Sequence, residues 1–262
     1  MTEDLILYES KRRIATITIN RPKKAHAFNV SMLKSMYEKL EEADRDEKVK
    51  CIIIKSTGTR FFSAGYDLKE IQGSPENVKL VTEWGRRVNY KLLTMKKIIT
   101  TQVQGKAVGF GVLMILASDL RVFADRPKED LYIHLPELSI SAFPQTGATL
   151  LPLLNFGLSY AKHLLYTADK VGLDELQKLC FPDRVFPLEE LEEKTYSFVK
   201  DIAKYQTEFL FLPKAMLNIM NKNYIKSCMD LEDECGAMAY SKSKSMKELD
   251  KFIKRMYEKY PE

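Results

Sequence analysis

The chain has 262 residues, 45% of them hydrophobic and 29% charged, with a formal net charge of +5. That is enough apolar content for a sizeable core and too much for a disordered chain. Lysines and arginines lie scattered among nearly as many acids, unlike the concentrated basic face of a nucleic-acid binder, and no apolar run approaches the roughly 18 to 20 residues of a membrane span.

The opening MTEDLILYESKRR lacks the basic start and small-residue cleavage site of a secretory signal. The expected location is therefore the cytoplasm. RIATITIN, residues 13–20, alternates and is β-branched, which predicts a strand ended by Arg21-Pro22. Leu33, Met36, Tyr37, Leu40 and Ala43 then fall at helical spacing, with Asn29 or Ser31 as N-cap. VKCIIIKS, residues 49–56, predicts a second, more buried strand. Strand, helix, strand implies parallel pairing through a crossover. Residues 57–71 read as a loop, and a long amphipathic helix follows from about Asn77 to Met95. Ile98 to Val103 is a third strand, Gly105 to Gly111 a Gly-rich turn, Val112 to Ser118 a short apolar helix and Leu120 to Ala124 a fourth strand. Pro152 to Tyr166 and Leu173 to Leu179 read as helical. Beyond Pro187 the pattern is almost wholly helical, so the expected division is an α/β core over 1–187 and a helical region over 188–262.

Cys51, Cys180, Cys228 and Cys235 form no CxxC pair, so neither a disulfide framework nor a metal site is expected. Two turns carry the chemistry that can be read from the residues: FSAGYDL, 62–68, and AVGFGV, 107–112. Free N–H groups where a turn opens a helix can hold an anion, and two such turns together would make an oxyanion hole. Small residues before a helix more often serve tight turns and close packing. The same glycines complete neither a dinucleotide fingerprint nor a phosphate-binding loop nor a nucleophile elbow.

The pairing of the turns resembles the crotonase (enoyl-CoA hydratase/isomerase) family. FFSAGYDLKE is similar to that family's FSAGxDLKE stretch, and GKAVGFGVLMILASDLRVFA to its Gly-rich turn, short helix and "CDLR" strand. HLPELSISAFP resembles the following "PE…G…P" stretch. TITINRPKKAHAFN resembles "I.LNRP.K.NAL", with His26 where Asn is usual. The segment from Tyr166 to Pro187 and the terminal MKELDKFIKRMYEKYP continue the likeness in the right order.

The resemblance implies an α/β spiral of ββα units followed by helices that mediate trimer formation, as a trimer or a pair of trimers. It implies an acyl-CoA thioester as substrate, with CoA as part of that substrate and no separate cofactor or metal. Backbone N–H groups at Tyr66 and Phe110 would hold the thioester oxygen. Phe110 replaces a usual glycine. Of three carboxylate positions used across the family, two hold Leu113 and Gln145 here, and only Glu137 remains an acid. Two carboxylates help add water to a double bond, whereas moving the bond needs one base. The expected activity is therefore 3-enoyl-CoA to 2-enoyl-CoA isomerisation through Glu137. Hydration is the alternative, and a non-catalytic CoA-binding protein is the alternative of another class. Lys24, Ala25, His26, Ala27, Asp67 and Leu68 are expected near CoA or its pocket, as are Ala64, Gly65, Gly109 and His134. Lys251 or Lys254 is a candidate for the CoA phosphates, and His163 is read as structural.

Overall fold

The structure is a computed structural model that describes residues 4–241 and 243–259. Strands β1 (Ile6–Lys11) and β2 (Ile14–Ile19) form an antiparallel hairpin, turned by Arg12 and Arg13 in left-handed backbone. Helix α1 (Val30–Arg45) starts at Asn29, whose side chain accepts from Met32 N–H at 2.9 Å; Ser31 donates to Asn29 rather than capping. Strand β3 (Cys51–Ser56) pairs with β2 in parallel, Ile14 opposite Cys51, as the strand–helix–strand pattern implied.

From there one theme repeats. A long strand joins the main sheet, a short strand joins a second sheet, and helix closes the unit. β3 and β4 (Phe61–Ser63) lead into α2 (Leu68–Ile71) and α3 (Pro75–Thr94). β5 (Ile98–Val103) and β6 (Lys106–Val108) lead into α4 (Phe110–Ala117). β7 (Leu120–Asp125) and β8 (Tyr132–His134) lead through a 3-10 turn, Glu137–Ile140, into α5 (Leu150–Thr167). β9 (Val171–Gly172), α6 (Leu173–Lys178) and β10 (Arg184–Pro187) complete the sheets. The main sheet runs β1-β2-β3-β5-β7-β10 and the small one β4-β6-β8-β9. Among the described residues only the β1–β2 and β8–β9 pairs are antiparallel. This is the expected spiral of ββα units.

The residues predicted as a loop at 57–71 and as a turn at 105–111 contain β4, α2 and β6. Three-residue strands are too short to show a period of two. Helix α3 starts at Pro75 rather than Asn77, because Ser74 accepts from Asn77 N–H at 3.2 Å.

Helices α7 (Leu191–Ile202), α8 (Thr207–Leu217), α9 (Lys222–Ser241) and α10 (Ser243–Lys259) follow β10. Val199 of α7 covers Ile14, Cys51, Ile53 and Ile98 on the outer face of the main sheet. Ile225, Met229, Leu249 and Ile253 of α9 and α10 join the principal core with β2 and β3. The shift in sequence texture after Pro187 thus marks the end of the sheets, while the later helices share their core. α8 is tied down by Lys214, whose buried ammonium donates to Leu92 O at 2.9 Å, Lys97 O at 2.8 Å and Asp119 Oδ2 at 2.7 Å. Burial drives the lysine's pKa down and Asp119's up, against the attraction between them.

Candidate active site

The two glycine turns meet. Gly65 follows β4 with φ +89°, and a Cβ there would lie 2.8 Å from Val108 O and 3.2 Å from Phe110 N. Only glycine allows that approach and that backbone. Gly109, at φ +51°, opens α4, and its N–H donates to His134 O at 2.9 Å. Phe28 fixes the first turn: its N–H donates to Gly65 O, and its carbonyl accepts from Asp67 N–H, both at 2.8 Å. Tyr66 N–H lies between these bonds and has no acceptor among the described residues. Phe110 N–H, on the first residue of α4, has none either. The Tyr66 ring stacks on Phe110 at 4.7 Å, and Phe28 meets Phe110 edge-on at 5.2 Å.

These turns line a cavity of about 440 Å³. Ala64, Gly65, Tyr66 and Leu68 form one side, and Gly109, Phe110 and Leu113 another. His134 and Glu137 come from β8 and the 3-10 turn after it. Among the described residues Glu137 is the only Asp or Glu on the cavity. Although the residue is only partly covered, its Oε2 is enclosed and has no hydrogen-bond partner among the described residues. Its Oε1 lies 3.3 Å from where a Cβ at Gly109 would stand, so the second glycine turn faces the carboxyl group. Burial raises the Glu137 pKa from 4.5 to about 7, against a smaller lowering by its own backbone. His134 is pushed down, first by burial and then by Lys170.

Other sequence candidates lie behind the cavity. The Lys24–Ala27 turn braces the first glycine turn: Ala25 O accepts from Ala64 N–H at 2.9 Å and His26 O accepts from Ser63 Oγ at 2.9 Å. The His26 ring is buried, with Nδ1 accepting from Arg21 N–H and Nε2 facing Thr57 O at 2.8 Å. An Nε2–H tautomer satisfies both contacts, so the ring is consumed internally and does not face the cavity. Asp67 caps α2, pairs with Arg21 at 2.8 Å and likewise stays off the lining. His163 stands on α5, 3.6 Å from Asp169, away from the site. Lys251 pairs with Glu248 on α10.

Several further groups that complete the cavity were not among the candidates drawn from the sequence. Tyr240 of α9 and Phe252 and Met256 of α10 form a wall brought from far along the chain. Glu232 of α9 accepts from Gly147 N–H at 2.6 Å and from Thr149 N–H at 2.9 Å, so α9 holds the segment before α5. Gly85 of α3 leaves room for the Tyr66 hydroxyl: a Cβ there would stand 1.9 Å from it. That hydroxyl is 2.9 Å from Thr146 Oγ1. The Gly85 position carries a legible signal, a glycine inside an amphipathic helix.

The fold and the site define one class: two sheets wound from ββα units, with paired glycine turns facing a lone buried carboxyl group. The sequence profile described as enoyl-CoA hydratase/isomerase matches residues 9–261. The chain belongs to that family. It is 26% identical over 257 residues to a crotonyl-CoA hydratase of Syntrophomonas wolfei, covering 97% of each chain. It is 25% identical over 252 residues to a short-chain-enoyl-CoA hydratase of Clostridium acetobutylicum, covering 95% of each. In fold it matches the human mitochondrial delta3-delta2-enoyl-CoA isomerase with a TM-score of 0.88 at 20% identity, covering 98% of this chain and 100% of that one. Among the described residues no helix is long and apolar enough to cross a membrane.

Proposed function

We propose that the protein moves the double bond of a 3-enoyl-CoA to the 2-position with Glu137 as its one base. The observation that carries this is the lone, enclosed Glu137 carboxyl on a cavity where a leucine and a glutamine hold the other family acid positions. Glu137 takes a proton from C2, and the electrons move onto the thioester oxygen. Tyr66 N–H and Phe110 N–H receive that charge as donors already in place. The protonated carboxyl then returns its proton at C4 as the double bond settles between C2 and C3. A pKa of about 7 suits a group that must both take and give a proton near neutrality.

CoA enters as part of the substrate, and no separate cofactor takes part. The apolar, exposed Phe209, Leu212 and Met216 on α8 support a trimeric assembly that covers them. Hydration of a 2-enoyl-CoA is the second reading, favoured by the hydratase names of the two sequence relatives. The deciding assay offers the enzyme 3-enoyl-CoA and 2-enoyl-CoA thioesters and weighs the products. Rapid 3-hydroxyacyl-CoA formation with inert 3-enoyl-CoA refutes isomerisation.

A further inference from the structure

Tyr66 and Phe110, whose N–H groups find no acceptor among the described residues, are also joined through their side chains. The Tyr66 ring lies flat on Phe110, with 4.7 Å between centroids and 13° between planes. Its hydroxyl lies 2.9 Å from Thr146 Oγ1. Burial pushes the phenol pKa up, so the group stays a neutral hydroxyl that shares a proton with the threonine.

Thr146 is buried and stands at φ +70°. That backbone is uncommon for any side chain and worst for a β-branched one. A residue suited to the backbone alone would be glycine, as at Gly147 with φ +94°. Two helices hold the threonine there. Asn89 of α3 donates its Nδ2 to Thr146 O at 3.0 Å, and Glu232 of α9 accepts from Gly147 N–H at 2.6 Å. Gly85 lies one turn before Asn89 on α3, and a Cβ there would stand 3.0 Å from Thr146 Cγ2 as well as against the Tyr66 hydroxyl. Backbone strain persists where its surroundings over-determine it, and it collects at active sites. Here it delivers one hydroxyl to one ring. With that hydroxyl held, the ring cannot swing off Phe110, and the two glycine turns are tied through side chains as well as backbone.

We infer that Thr146 is a positioning residue for the thioester-oxygen donors: by holding the Tyr66 hydroxyl it keeps that ring stacked on Phe110 and the two N–H groups at a fixed separation. The inference rests on the proposed oxyanion role of those N–H groups and extends it to a residue that takes no part in the proton transfer. The probe is acetoacetyl-CoA, a thioester whose enolate absorbs in the near ultraviolet, titrated with pH on the wild type, Thr146→Val, Thr146→Ser and Tyr66→Phe. Donors aimed at the thioester oxygen favour the enolate, so the wild type lowers the pH at which the bound thioester ionises below that of the free one. Thr146→Val keeps the branched shape and Tyr66→Phe keeps the ring. Each raises that pH by about one unit, a roughly tenfold loss of preference for the enolate. With 3-enoyl-CoA, kcat falls by about tenfold or more while KM changes little. Butanoyl-CoA, which forms no enolate, binds within about twofold of wild type by titration calorimetry. Thr146→Ser restores both the ionisation and kcat. Thermal melting checks that each variant folds, and Tyr66→Phe carries the test alone if Thr146→Val does not. Ionisation at the wild-type pH in Thr146→Val and Tyr66→Phe overturns the inference and leaves the oxyanion reading standing. So does a serine variant as impaired as the valine one. A wild type that does not lower the ionisation of acetoacetyl-CoA overturns the oxyanion reading itself, and the inference with it.

Discussion

Replacing Glu137 by Gln tests the enclosed carboxyl group through stability as well as rate. A rise in pKa from 4.5 to about 7 corresponds to about 3 kcal/mol against the ionised form. The folded pKa lies above the unfolded one. The stability associated with the neutral acid is therefore fully present below about pH 4.5 and is lost as pH climbs to about 7. The glutamine variant does not titrate and escapes that loss. Wild type and Glu137→Gln are melted by calorimetry at pH 5 and pH 8. The variant gains relative to wild type between the two, by on the order of 5–10 °C. Comparing the difference across pH cancels the fixed effect of the new amide. Turnover meanwhile falls by about 10²- to 10⁴-fold while CoA thioester binding persists. A melting difference that does not change with pH refutes the desolvated carboxyl, and turnover within a few-fold of wild type places the base elsewhere.

Leu113→Glu raises 3-hydroxyacyl-CoA formation relative to double-bond shift, measured as the product ratio from 2-enoyl-CoA and 3-enoyl-CoA; an unchanged ratio in a folded variant removes water positioning from that site. Gly85→Ala pushes on the Tyr66 hydroxyl and lowers stability by about 1–3 kcal/mol, read by chemical denaturation; a neutral result means the ring moves freely. Lys214→Met strands a buried Asp119 and costs about 3–5 kcal/mol, and a loss below 1 kcal/mol shows that Asp119 is neutral in the fold.

Much of the main sheet was legible because its strands carry strong patterns. β2 is β-branched at five of its six residues and β3 opens on the apolar run Cys51 to Ile54, so both stood out. Asn29 caps α1 as its residue type suggested, whereas the Ser74 cap, which starts α3 two residues ahead of Asn77, went unread. β1 did not stand out. It is an edge strand with one buried residue in six, which leaves no alternation to read. The small sheet escaped entirely, because strands of two or three residues are set by neighbours rather than by their own pattern. The site shows the same split. Glu137 and the paired glycine turns came from likeness to a family, and the sheets then brought them to one cavity. His26 and Asp67 fell near that likeness in sequence, yet both are occupied bracing the turn from behind. Tyr240 lies on a helix whose apolar face was visible, but nothing local says which cavity that face meets.

The hold of Glu232 and Tyr240 on residues 143–149 has a consequence for how the protein is made. Both sheets are complete once Pro187 has left the ribosome. Neither grip exists until α9 has followed, so the loop bearing Gln145 lacks its anchors in every shorter nascent chain. An acyl-CoA present during synthesis would find a finished wall only on the finished chain. The ligand would then shield full-length protein from proteases and leave prematurely ended products to be cleared.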